Sequence, residues 1–584
     1  MHGQMMEVPL LVTEILRFAE RNYPDSQVVS VTFDDPRHRT TYRDVFRRAR
    51  KLANALTAAG VRAGDRVATV AWNDYRHLEI YYAVSCIGAV LHTINPRLFP
   101  EQLEYIVNHA ADRLLFVDPT LLPVIAPLAG KTPSVEKIVV MTSAAAMPPA
   151  VAGRYADYES FIADHPDHYD WPDLDERTAS SLCYTSGTTG HPKGVLYSHR
   201  STVLHAYGGC MMDTMALSAR DTVLAVVPMF HANAWGLPYN GMICGCKLVL
   251  PGPKMGDAAV LTELMNEEGV TLAAGVPTVW TLLLNHLRQT GTKLRTLNRT
   301  VVGGSAVPLS MIRDFEAEHG VTVVQGWGMT ETSPLGTVST LRPDQQARPL
   351  AEQQQLRSLA GHGIFGISMK VVDEDGHELP WNGKSAGELK VRGNWVCSGY
   401  YRLEHSAAHD AQGWFATGDV AVIHPNGFMQ ITDRAKDVIK SGGEWISSVD
   451  IENCACGHPD VLMAAAIGVR HPKWEERPIL LVVPRPGRAP ERDSVLAHIG
   501  QHFAKWQLPD DVVVVESLPM TATGKISKKD LRVKYVDHLM GQAAGLAPAA
   551  RRPPTRLQSA RGRADMRSCP GIRRVPPLHR GESR

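Results

Sequence analysis

The densest chemistry in the chain lies in Tyr184-Thr-Ser-Gly-Thr-Thr-Gly-His-Pro-Lys-Gly194. Thr185, Ser186, Thr188 and Thr189 supply hydroxyls, and Gly187 lets the backbone come close to a ligand. Successive N–H groups in such a loop form an anion-binding nest. Lys193 adds a flexible positive charge. Together these groups suit a polyphosphate. The segment is not a Walker A loop, which needs Gly before the lysine and Ser or Thr after it. Here Pro192 precedes Lys193 and Gly194 follows it. A plain surface loop is the alternative, and it leaves the concentration of hydroxyls, glycines and one lysine unexplained.

Two other patterns mislead. Gly361-His-Gly363-Ile-Phe-Gly366 spells G-x-G-x-x-G, but the dinucleotide motif sits between a strand and a helix. Here a Gln-rich stretch comes before it and the strand-like ISMKVVD after it. Gly303-Gly-Ser-Ala-Val307 ends in Val and is no nucleophile elbow. The pairs Cys244/Cys246 and Cys454/Cys456 lack a second ligand cluster, so they read as buried or half-buried thiols rather than a zinc site.

The elements that must carry the loop alternate. GDRVATVAW (64–72) has strand spacing and HLEIYYAVSCIGAVL (77–91) helix spacing. A strand reaches Val302, Gly303 and Gly304 follow, Pro308 opens a helix, and VTVVQGWG is the next strand and loop. This order predicts an α/β domain with sheets between helices. After about Asp433 the pattern changes to a small α+β unit, with ENCACGHPD helical, VLMAAAIGV, PILLVVP and DVVVVE as strands, and DSVLAHIGQHF as a helix. The expected boundaries are 1–435, 436–540 and a basic, Arg/Pro-rich tail at 541–584 too poor in aliphatics to order itself.

At 584 residues the chain exceeds a single core. A net charge of +1 gives no field for nucleic acid. No run is long and apolar enough to span a bilayer, and the N-terminus reads as an amphipathic helix rather than a signal peptide. The expected compartment is the cytoplasm.

YTSGTTGHPKG resembles the signature of the acyl-adenylate-forming (ANL) superfamily, which includes acyl-CoA synthetases, firefly luciferase and peptide-synthetase adenylation domains. GGSAVP (303–308), GWGMTETSP (326–334), SGYY (398–401), TGD (417–419), DRAKDVIKSGGEWIS (433–447) and TATGKISKKDLR (521–532) follow in the family's order. The resemblance covers roughly residues 10–540. PMFHANAWGLPY (228–239), AGVPTVW (274–280) and FAKWQLPD (503–510) look most like bacterial medium- and long-chain fatty acyl-CoA synthetases. That family implies a large N-terminal domain with αβαβα-layered sheets and a subdomain barrel, and a small mobile C-terminal domain.

It also implies roles. Gly304, Ser305, Ala306, Gln325, Gly326 and Trp327 would surround adenine or the acyl-adenylate, and Thr330 would contact the α-phosphate. Glu331 would bind Mg²⁺ with help from Thr185, since a hard cation takes oxygen ligands. Asp419 and Arg434 would hold the ribose. Lys525 would bridge carboxylate and phosphate during adenylation. Lys436 matches the hinge, and Lys440, Gly442 and Gly443 match the loop that replaces Lys525 when CoA attacks. Trp235 matches the residue that gates the acyl tunnel in the long-chain synthetases, a large ring suited to a movable plug. His231 would approach the carboxylate or the pantetheine path, Ala232 and Trp445 match CoA-contacting positions, and Gly303 matches a position along the acyl path. On residue type alone, Glu331 and Lys525 read as solvated charges and Asp419 as a turn residue. For His231, Trp235 and Trp445 a structural or core side chain is the alternative.

The resulting expectation is an ATP- and CoA-dependent ligase for a medium- or long-chain fatty acid, releasing AMP and pyrophosphate. The alternatives are a CoA ligase for a short, sulfur-containing or aryl acid, and a non-catalytic acyl-binding protein. Analogy with the long-chain enzymes implies a homodimer. Peripheral membrane contact stays open, because such an acid partitions into lipid.

Overall fold

A computed structural model of the chain describes residues 1–185, 191–434, 436–441, 444–521 and 525–540. The basic tail expected at 541–584 lies outside the described residues, as do Ser186, Gly187, Thr188, Thr189, Gly442 and Gly443.

Two large sheets organise the first 360 or so residues, each mostly parallel because helical crossovers link its strands. The seven-stranded sheet runs, in spatial order, through Ala156–Asp157, Lys137–Val140, Asp112–Val117, Arg66–Val70, Val90–Thr93, Ala179–Tyr184 and Gly194–Ser198. Only its last pair is antiparallel, and the phosphate-loop segment connects those two strands. The nine-stranded sheet has Leu272–Gly275, Arg299–Gly303 and Thr322–Gly328 side by side and parallel near its centre.

Helices lie between and outside these sheets. Tyr42–Ala58, Tyr75–Cys86, His199–Cys210 and Leu237–Cys244 share one apolar core with strands of both sheets. Ala258–Glu267, Pro277–Thr290 and Leu309–His319 cover the outer face of the nine-stranded sheet. Pro100–Ala110 covers that of the other. This is the expected α/β layering. Every residue of Tyr75–Cys86 is buried, so the helix has no wet face to give it a period.

That burial explains one correction. The stretch 77–91 reads as a single helix, but the helix stops at Cys86, Gly88 turns the chain at φ 80°, and Val90–Thr93 is a strand. The subdomain expected as a barrel is a four-stranded antiparallel sheet, Ile367–Val372, Gly387–Gly393, Phe415–Ile423 and Met429–Arg434. Its last strand is tied to the edge of the nine-stranded sheet through the Gly361–Met429 bridge.

The small domain packs Val461–His471 and Glu475–Pro484 as a long antiparallel pair, with Asp511–Val514 added in parallel. Its first helix is Ser448–Ala455, starting ahead of the ENCACGHPD segment because Ser447 caps it by accepting from Asp450 N. Asp433, 1% exposed at the end of the four-stranded sheet, accepts from Ser448 N at 2.8 Å and Ser448 Oγ at 2.6 Å. One buried carboxylate therefore joins the two domains. The eight described cysteines are free thiols, buried or half-buried. Among the described residues no helix is long and apolar enough to cross a membrane.

Candidate active site

A cavity of about 1470 Å³ opens where the two large sheets, the four-stranded sheet and the small domain meet. Strands Arg299–Gly303 and Thr322–Gly328 end there with Gly303 paired to Gly326. A Cβ on Gly303 would stand 2.8 Å from Gly326 O, so the close approach of the two strand ends requires glycine. The carboxyl ends of parallel strands are where open α/β sheets collect ligands.

Glu331 follows directly, in the short turn Thr330–Thr332. It is 6% exposed, and the Tyr400 hydroxyl donates to its Oε1 at 2.8 Å. Burial raises its pKa, against the Tyr400 hydrogen bond and the Lys193 charge. A buried carboxylate short of compensating positive charge, with the Thr185 hydroxyl also on the cavity wall, fits a hard cation that takes oxygen ligands. Lys193 Nζ lies 4.9 Å from the Tyr400 ring centre, and Lys193 N donates to Thr185 Oγ1 at 3.2 Å. Thr330 O accepts from the Tyr197 hydroxyl at 2.6 Å.

Across the cavity, Trp327 Nε1 donates to Asp419 Oδ2 at 2.9 Å, and Arg434 Nε lies 3.8 Å from Asp419 Oδ1. Burial raises the Asp419 pKa as well, while Arg434 and the indole lower it. Asp419 and Arg434 face each other because they are paired residues of neighbouring strands. Gln325 Oε1 accepts from Val307 N at 3.2 Å, which holds the Gly304–Ala306 loop against the next strand.

Lys525 reaches this space from the small domain. Its Cε lies 3.7 Å from where a Cβ on Gly304 would stand. Burial and the charges of Arg434 and Lys436 lower its pKa to about 8, against Asp419 and Glu331. His231 is driven to about 4, first by burial and then by the Lys525 charge, so its imidazole is neutral at ordinary pH. Beyond it the wall turns apolar, with Met215, Val227, Trp235, Val301 and Leu335. The Trp235 indole is 3.1 Å from the Cβ position of Gly303.

The structure thus brings Thr185, Lys193, His231, Ala232, Trp235, Gly303, Gly304, Ser305, Ala306, Gln325, Gly326, Trp327, Thr330, Glu331, Asp419, Arg434, Lys436 and Lys525 to one cavity. Lys440 does not join them. It is exposed in strand Ile439–Ser441, its N–H donating to Glu476 at 3.2 Å, because that hairpin is part of the small domain's own sheet. Trp445 pairs with Lys440 through the backbone. Tyr400 was not singled out by sequence reasoning. It stands in the SGYY segment, but no spacing shows that it reaches Glu331 across 69 residues.

Comparison with known proteins identifies the family. The model of the AMP-binding enzyme family matches residues 16–401, and that of the AMP-binding enzyme C-terminal domain matches residues 450–525. The chain is 50% identical over 541 residues to the 3-methylmercaptopropionyl-CoA ligase of Ruegeria pomeroyi, covering 93% of this chain and 100% of that one. It is 48% identical over 558 residues to the medium-chain-fatty-acid–CoA ligase of Ectopseudomonas oleovorans, covering 94% and 100%. The crystal structure of the anthranilate CoA ligase AuaEII with anthranoyl-AMP superposes with a TM-score of 0.80 at 25% identity, covering 94% of this chain and 100% of that one. The chain belongs to the AMP-binding enzyme family, and within it to the acyl-CoA ligases.

Proposed function

We propose that the protein joins a fatty acid of medium or long chain to CoA through an acyl-adenylate, releasing AMP and pyrophosphate. The observation that carries this reading is the joining of two kinds of wall in one cavity. Lys193, Glu331, Asp419 and Lys525 make a charged end, and Met215, Val227, Trp235, Val301 and Leu335 make an apolar one. The volume exceeds the roughly 300–1,000 Å³ of ordinary ligand pockets, as a nucleotide with an acyl chain requires.

Bringing a carboxylate onto a triphosphate sets like charges together, and the site must offset that repulsion. Lys525, cationic below about pH 8, would bridge the carboxylate and the α-phosphate. Lys193 and the loop at 185–190 would hold the outer phosphates. Asp419 would accept from the ribose hydroxyls, with Trp327 and Arg434 fixing its orientation. Glu331 and Thr185 would hold Mg²⁺, which supplies positive charge to the phosphates. Neutral His231 would face the carboxylate as a hydrogen-bonding group without adding charge.

For the second step the domains would divide at 435/436, with Lys436 as the pivot. Turning the small domain would withdraw Lys525 and bring Lys440, Gly442, Gly443 and Trp445 to the pantetheine path beside Ala232. The exposure of Lys440 here fits a residue that serves only after such a turn.

A second reading is a short, sulfur-containing acid. Trp235 standing against Gly303 shortens the apolar end, and two relatives at 49% and 50% identity are named 3-methylmercaptopropionyl-CoA ligases. AMP and acyl-CoA formation measured with saturated acids from butyrate to palmitate, beside 3-methylmercaptopropionate, separates the two. A kcat/KM maximum among the longer acids supports the first reading. A maximum at the thioether acid replaces it with the second. No AMP with any acid sinks both.

A further inference from the structure

The backbone that carries Trp235 is left-handed over five consecutive residues. Ala232, Asn233, Ala234 and Trp235 have φ of 44°, 52°, 49° and 55°, and Gly236 follows at 82°. L-residues visit this region singly, because Cβ crowds the next carbonyl, and only Asn or Asp do so readily. Here Asn is one of four L-residues in a row. Such a run persists only where its surroundings hold it.

Ala234 N donates to the Pro228 and His231 carbonyls at 3.2 and 3.3 Å, and the side-chain contacts that hold the run converge on Asn233, which is 4% exposed. Its Nδ2 donates to Ser181 Oγ at 3.1 Å. Its Oδ1 lies 3.1 Å from the Tyr81 hydroxyl, which also faces the Met229 carbonyl, and 3.6 Å from Cys183 Sγ. Ser181 and Cys183 belong to the strand that enters the phosphate loop, and Tyr81 to the fully buried helix. Gly236 seats the far end of the turn, since a Cβ there would lie 2.7 Å from His205 Cε1. His205 Nε2 in turn accepts from Leu335 N at 3.3 Å, on the apolar wall. Trp235 is the half-buried member of an otherwise buried group, with its indole against Gly303.

We propose that Asn233 is a positioning residue that latches residues 232–236 in the left-handed form and so sets how much of the acyl space Trp235 fills. The backbone strain opposes the latch. A longer acyl chain pressing on the indole shifts the turn to a relaxed form and moves the ring aside. The assignment rests on the proposed reading of Trp235 as the movable plug of the acyl tunnel that the family resemblance implies; what it adds is the latch. It takes its force from the strained run and its anchoring through the buried Asn233 side chain.

The test compares the wild-type enzyme with Asn233→Ala, Tyr81→Phe and Ala234→Gly. The first readout is the ratio of kcat/KM for the longest accepted acid to that for the shortest. Asn233→Ala removes the latch bonds and should raise the ratio about tenfold, through KM of the longer acid. Tyr81→Phe leaves the turn's own residues intact and should raise it about threefold. Ala234→Gly removes one Cβ from a left-handed position, steadies the latched form, and should lower the ratio about threefold. The second readout, amide hydrogen exchange of the 231–236 peptide, needs no substrate. It should quicken in Asn233→Ala and slow in Ala234→Gly. Movement of all three variants in one direction, or equal loss on both acids with unchanged exchange, would overturn the latch. A wild-type chain-length profile that peaks at the thioether acid rejects the fatty-acid reading alone, because the exchange result stands apart from it.

Discussion

The wall of the cleft built from residues 193–434 and the lysine delivered by the small domain are held in opposite ways. Glu331 is clamped by Tyr400, Asp419 by Trp327, and the Thr330 carbonyl by Tyr197. Each clamp belongs to a segment rooted in an apolar core. Lys525 is tied back to its own segment: Thr521 N donates to Lys525 O at 2.6 Å, and Lys525 N to Thr521 Oγ1 at 3.1 Å. Its domain meets the large one through a few polar contacts, such as Ser310 Oγ to Cys456 O at 3.4 Å. Groups needed throughout a reaction gain from a rigid frame, whereas a group needed for one step must be free to leave.

The sharpest way to break this contrast is Lys525→Ala. Adenylation, followed by ATP–pyrophosphate exchange, should fall about 10²–10³-fold, while thioester formation from supplied acyl-AMP persists. Equal loss of both would make Lys525 part of the fixed frame. Next is Glu331→Gln, which should cost about 10²-fold in adenylation and raise the Mg²⁺ concentration needed for half-maximal rate. An unchanged Mg²⁺ dependence would remove Glu331 from the metal site.

Acidity separates the two regions further. On the proposed reading Lys525 acts as the ammonium, and burial together with the Arg434 and Lys436 charges lowers its pKa to about 8. The group is therefore charged below that value, and kcat/KM for adenylation should drop as pH rises through it, about tenfold per unit. Thioester formation from acyl-AMP should lack this alkaline limb, and a shared limb would contradict the assignment. The smallest effect belongs to Trp327→Phe. Losing one hydrogen bond to Asp419 should raise KM for ATP about fivefold and leave Lys525 chemistry alone. A drop in kcat with unchanged KM would show the indole acting elsewhere.

Parts of this were legible in the residues themselves. Gly303 and Pro308 mark a strand end and a helix start that the structure reproduces, whereas the following strand runs on through Gly326 to Gly328. The 77–91 stretch was misread because a helix and a strand buried on every side lose their distinguishing periods, leaving Gly88 as the sole punctuation. The Tyr400–Glu331 contact was invisible because it depends on how the four-stranded sheet docks, not on local spacing. Lys440 stands apart from Lys525, as two residues proposed to serve different steps would in a single arrangement of the domains. Nothing in the string Ala-Asn-Ala-Trp announces a left-handed turn, since only its Asn favours that conformation.

The Asp433–Ser448 junction has a consequence for how turnover meets its solvent. If the small module swings as proposed, that carboxylate must shed two protein donors and take up water in their place. The swing then carries a hydration demand that neither chemical step shares. Osmolytes that are excluded from protein surfaces should slow a complete catalytic cycle more than either isolated half-reaction, and equal slowing of all three would place the rate-limiting wetting elsewhere.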